Sequence, residues 1–95
     1  MEKIIDLFEL SPIEIAYKIS ILSEAQRQIL YYLVRGKDDR TTATILSISV
    51  GLLRARLATG VDNVGLSRRS ELVALFAIWH YSKQQSNPPI LSIKS

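Results

Sequence analysis

Serines placed where a helix can open punctuate this chain and restrict what it can become. Ser11 is followed by Pro12 and, three residues on, by Glu14; Ser23 is followed at the same distance by Gln26; Ser49 precedes a further apolar run. A serine hydroxyl accepts the backbone N–H three residues later, while Glu or Gln at that position reaches back to the serine N–H. Proline at the first helical position loses nothing, because its missing N–H has no partner there. Between these openings the apolar residues recur at spacings of three and four. A chain marked in this way is expected to be all-α, built from several short helices.

The marks give approximate bounds. Ile4, Ile5, Leu7 and Phe8 suggest a short helix stopped before Ser11-Pro12, and Pro12 opens a second over 12–20. Ser23 opens a third with Ile29, Leu30, Leu33 and Val34 on one stripe, closed by Gly36 as a left-handed cap. KDDRTTATILSI reads as a fourth helix capped by Asp38 or Asp39, with Ala43, Leu46 and Ile48 inward. Its β-branched run, Thr41, Thr42, Thr44 and Ile45, is poor helix material, so a strand competes there. Helix is preferred, because an isolated strand this short finds no sheet partner in a helical chain. Ser49 caps a fifth helix with Leu53, Leu57 and Val61 inward, and Ser70 or a neighbour opens a long last one, ELVALFAIWHYSKQQ, of about 22 Å. Residues 86–95, with Asn87, Pro88 and Pro89, read as an extended tail.

At 95 residues, 47% of them hydrophobic, there is material for one core. No cysteine is present, so disulfides, thiolate metal sites and thiol nucleophiles are excluded. His80 is the single histidine and has no carboxylate at ligand spacing; no phosphate loop or nucleophile motif occurs. Neither an enzyme nor a cofactor is expected. The opening MEKIIDLFELSP carries Glu2, Asp6 and Glu9, unlike a secretory or transit peptide, and no apolar run approaches the roughly 20 residues of a membrane span. A cytoplasmic protein without membrane contact is the expectation. The net charge of +3 is uneven: residues 1–26 hold five acids and two bases, residues 27–95 four acids and ten bases. The basic part permits contact with a polyanion.

Two short helices joined tightly, the second opened by a serine, is helix-turn-helix organisation. The stretch 22–73 resembles the DNA-binding domain of the LuxR/FixJ/GerE type, without a gap. The family's opening pattern is met by Leu22, Ser23, Gln26, Ile29 and Leu30, and its closing glycine by Gly36. Its scaffold helix and turn are met by Thr42, Ala43, Leu46, Ile48 and Ser49, and its recognition helix by Leu52, Leu53, Arg54, Arg56 and Leu57. Its last segment is met by Val64, Gly65, Leu66, Arg69, Glu71, Leu72 and Val73. Several positions depart from the family. Gln26 replaces a glutamate, Thr42 an isoleucine, Gly60 an apolar residue and Asn63 a lysine. Leu52 replaces the threonine that contacts a phosphate, and Gly51 weakens the helix that follows Ser49 by about 0.5–1 kcal/mol relative to alanine.

The resemblance implies a four-helix domain over 22–85, preceded by a helical extension over 1–21 and followed by the tail. It implies a small bacterial transcriptional regulator binding double-stranded DNA as a homodimer, with Ser49, Val50, Gly51 and Arg54 at the major groove. Arg54 lies opposite Leu53 and Leu57 and suits a guanine edge. Arg56, roughly 200° around the helix from it, together with Arg40 and Arg68, suits phosphates. Arg69 is divided between DNA contact and pinning the last helix. Leu72, Leu75, Phe76 and Trp79 form a stripe expected to exceed one small core and to serve a dimer or partner, the competing use being packing against the N-terminal helices. The family couples this domain to a receiver or ligand domain, for which this sequence has no room; control is then expected from abundance, a partner, or the acidic N-terminal segment lying over the basic face. The alternative is a helix-turn-helix turned to protein contact, an adaptor for RNA polymerase, a sigma factor or another regulator, which Leu52 and the aromatic stripe favour.

Overall fold

The computed structural model describes residues 9–85. Five α-helices follow one another: α1 (Pro12–Ile21), α2 (Glu24–Leu33), α3 (Asp39–Leu46), α4 (Val50–Val64) and α5 (Arg69–Gln85). No strand occurs among the described residues, so the architecture is all-α. The helix expected on Ile4, Ile5, Leu7 and Phe8, and the tail over 86–95, lie outside the described residues.

The helices start where the local chemistry starts them. Ser11 Oγ accepts the Glu14 N–H at 3.1 Å and Glu14 Oε1 accepts the Ser11 N–H at 2.8 Å, a full capping box with Pro12 at the first position. Ser23 and Gln26 repeat it at 3.1 and 2.9 Å. Asp38, not Asp39, caps α3 by accepting the Thr41 N–H, and Ser49 Oγ caps α4 at the Leu52 N–H. The last helix opens differently from expectation. Ser70 lies inside α5, and the Glu71 carboxylate instead reaches back to the N–H groups of Ser67 and Arg68 at 2.8 and 3.2 Å.

Three helices close the same way. At Gly36, Ser47 and Gly65 the backbone turns left-handed, with φ of 89°, 59° and 81°. In each, the turning residue donates to the carbonyl three back and the next residue to the carbonyl five back, as Ser47 does to Thr44 and Ile48 to Ala43. This double closure satisfies carbonyls that a helix end leaves open.

All five helices contribute to one core. Ile15 and Ile19 of α1, Ile29 and Leu30 of α2, Ala43 of α3, Leu53 and Leu57 of α4, and Leu72, Leu75 and Phe76 of α5 are buried together. α1 packs on both α4 and α5, and Lys18 Nζ donates to the Val64 carbonyl at the far end of α4. It is therefore part of the same packed unit as α2–α5. At Gly60 a Cβ would stand 3.2 Å from side-chain carbons of both Leu22 and Leu72. A side chain here would press on both leucines, which would have to give by a few tenths of an ångström. No described helix is long and apolar enough by itself to cross a membrane.

Candidate nucleic-acid interface

The unit formed by α3 and α4 carries all the residues singled out for DNA except Arg68. Three residues, Ser47, Ile48 and Ser49, link the helices, and the axes turn through 102°. The turn is fixed from both sides: Ser47 closes α3 in the left-handed conformation, Ile48 packs against the core, and Ser49 caps α4. α4 then buries Leu53, Leu57, Val61 and Val64 and presents Gly51, Leu52, Arg54, Ala55 and Ala58 outward. The middle of this outward face is small. A Cβ at Gly51 would find only Ser49 Oγ, at 3.9 Å, so packing does not demand a glycine there.

Arg54 is held, not loose. Its Nε donates to Asp39 Oδ2 at 3.1 Å, while the Arg69 guanidinium grips the same carboxylate with both terminal nitrogens, Nη1 to Oδ2 at 2.8 Å and Nη2 to Oδ1. Three elements meet at one carboxylate: the first turn of α3, the outer face of α4 and the first turn of α5. The Asp39 side chain is only 16% exposed against 66% for Arg54 and 42% for Arg69. Arg69, then Arg54, stabilise the anion and together outweigh its partial desolvation, lowering its pKa from the usual 3.8 to about 2. Arg69 thus joins the last helix to the scaffold helix, the pinning use allowed for it, and its own pKa is raised by the same bond. Asp39 was absent from the residues expected at the site. Its partners lie 15 and 30 positions away in sequence, a separation that no local pattern encodes.

Around this triad the surface is basic. Arg40 is exposed at the start of α3 and Arg68 just before α5. A groove of about 440 Å³ runs between α4 and the start of α5, lined among others by Arg54, Ala58, Asp62, Arg68 and Arg69. The remaining expected residues fall elsewhere. The Ser49 hydroxyl is engaged in capping, and Val50, one turn before Arg54 on α4, is half-buried with part of its side chain packed against the core. Arg56 is half-buried on the opposite side of α4 from Arg54, and its carbonyl accepts the Gln26 side-chain amide at 3.0 Å.

The aromatic stripe of α5 is a correction. Leu72, Leu75 and Phe76 are 0–3% exposed inside their own protomer and cannot face a second copy. The reason is α1, whose Ile15 and Ile19 join α5 residues in the core. Trp79 is only half-buried; its ring lies 5.4 Å from that of Phe76, and the Lys83 ammonium stands 4.7 Å over it. Beside it an open groove of about 570 Å³ is lined by Arg27, Tyr31, Tyr32, Leu46, Trp79 and His80 among others. Phe76 stacks on His80 at 5.8 Å and 12°; burial first, then Arg35 and Lys83, lower the His80 pKa. Among the described residues no group of three or more His, Asp or Glu side chains is arranged to hold a metal. No family model, no curated protein and no solved structure matches this chain, so the geometry of its own residues carries the functional reading.

Proposed function

We propose that this chain is a helix-turn-helix regulator, a divergent one of the LuxR/FixJ/GerE type, that binds duplex DNA with α4 in the major groove and the start of α3 over the backbone. The observation that supports this best is the 102° turn between α3 and α4 across a three-residue link, within the roughly 90–120° of DNA-binding helix-turn-helix units. The outward side of that unit carries Arg54, flanked by Arg40 and Arg68 for phosphates. On this reading Ser49 sets the angle of α4 and does not touch bases. A homodimer on two half-sites would not use Leu72, Leu75 or Phe76, which are enclosed; of that stripe only Trp79 is left half-exposed.

The test is fluorescence anisotropy of a labelled random-sequence duplex at several salt concentrations, with the wild-type chain and an Arg54→Ala, Arg68→Ala variant. Affinity should fall with log salt at a slope of about −0.9 per phosphate contacted, and the variant should lower both affinity and slope.

One observation favours a second use. Leu52 is 40% exposed beside Gly51 and Ala55, an apolar and smooth stretch suited to a helix of RNA polymerase, a sigma factor or another regulator. Absence of duplex binding at low salt would favour this adaptor role, with Leu52→Glu the variant expected to abolish capture of such a partner.

A further inference from the structure

We propose that Asp39 is a positioning residue that fixes Arg54 as a reader of guanine, so that one guanine per half-site dominates sequence preference. This rests on the DNA-binding reading above. Four observations carry it.

The first is which nitrogen is held. Asp39 takes Nε of Arg54, on the inner edge of the guanidinium. The two terminal amino groups of a guanidinium held there remain as a fork, the geometry that meets the O6 and N7 acceptors of guanine. A carboxylate bound to the terminal nitrogens would have consumed that fork. The second is accessibility: Arg54 remains 66% exposed while the Asp39 side chain is 16% exposed, so the anchor is recessed and the reader projects.

The third is charge. An aspartate near a groove repels phosphate, yet both oxygens of Asp39 are bound by Arg69, and the three side chains together carry a net positive charge. Arg69 makes an anion tolerable at this surface. The fourth is the rest of the outer face of α4. Gly51, Ala55 and Ala58 are exposed and reach no base by hydrogen bonding, while their size lets the helix backbone approach the groove floor closely. Arg54 is the one long donor on that face, and a side chain already held in its bound geometry loses less freedom on binding.

The test is selection from a random-sequence duplex pool by the full chain, its Asp39→Asn variant and its Arg54→Lys variant, with salt slopes measured on the enriched pool. Wild type should enrich a fixed guanine in each half-site. Replacing that guanine by 7-deazaguanine, which lacks the N7 acceptor, should weaken wild-type binding about tenfold. Both variants should lose the guanine preference and the 7-deaza effect, while Asp39→Asn keeps the salt slope. Arg54→Lys retains the positive charge and removes the fork, while a further variant, Arg69→Gln, breaks the link to α5, leaves the Asp39–Arg54 bond and should keep the guanine preference, so it separates lost positioning from a loosened α5. Retention of the guanine preference in Asp39→Asn, or its absence from a wild-type pool that does enrich, overturns the positioning role and leaves DNA binding standing. No enrichment and no duplex binding at low salt overturns both.

Discussion

The side-chain amide of Gln26 accepts the Ser23 N–H through Oε1 and donates through Nε2 to the Arg56 carbonyl. The resemblance implies glutamate here, and glutamate would keep the cap but present a second acceptor to a carbonyl. Gln26→Glu is therefore expected to destabilise the fold by about 1–3 kcal/mol, read as a lowered midpoint in urea with an unchanged slope. The half of this residue that caps was legible, because it acts on a serine three positions away; the half that crosses to α4 spans 30 positions and was not. Thr42 shows the reverse case. It is fully buried, and its hydroxyl has no hydrogen-bond partner among the described residues. Thr42→Val keeps the shape and removes the unpaired hydroxyl, so it should stabilise by about 1 kcal/mol, raising the same midpoint. The resemblance marked Thr42 as standing where the family has isoleucine, without revealing whether its hydroxyl was paired.

At the scale of the element, α3 formed in spite of its β-branched residues. Propensities differ by only a few tenths of a kcal/mol per residue, whereas the Asp38 cap, the burial of Thr42 and Ala43, and the double closure at Ser47 all act on eight residues. The closure leaves a measurable cost, since a residue with a Cβ is held at φ 59°. Ser47→Gly should stabilise by about 0.5–1 kcal/mol, seen as a higher melting temperature without change in helicity by circular dichroism. Gly36 announced its closure by being glycine after a helical stripe; Ser47 did not, because the need for a left-handed residue is set by where α4 must begin. The stripe on α5 failed in the same way. Spacing identified an apolar face correctly, but which surface covers that face depends on where α1 is packed.

For the whole molecule, the Asp39 triad is where pH should be felt. Its carboxyl is ionised down to about pH 2 in the fold, against an ordinary value of 3.8. A depressed folded pKa contributes stability that is complete above pH 4, declines as pH falls toward 2 and is gone below it. With Arg54 and Arg69 substantially exposed, the contribution is screened to about 1 kcal/mol. Acid titration of urea stability between pH 5 and 2 should show this loss in the wild type. It should be absent in Asp39→Asn, which starts less stable at pH 7 and descends less steeply; equal slopes for both would show that Asp39 contributes nothing to acid sensitivity.

What the sequence determined by itself was that α1, α2, α4 and α5 are helices, the openings at Ser11, Ser23 and Ser49, and the inward stripes of α2 and α4. Each of these arises from interactions within three or four residues, which the order of amino acids states directly. The tertiary structure alone decided that Leu72, Leu75 and Phe76 are enclosed, that Gly60 lies beneath Leu22 and Leu72, and that Asp39 holds Arg54 and Arg69 together. Those outcomes depend on how the helices are placed against one another, and that placement is fixed by burial of one shared core, a quantity no local spacing contains.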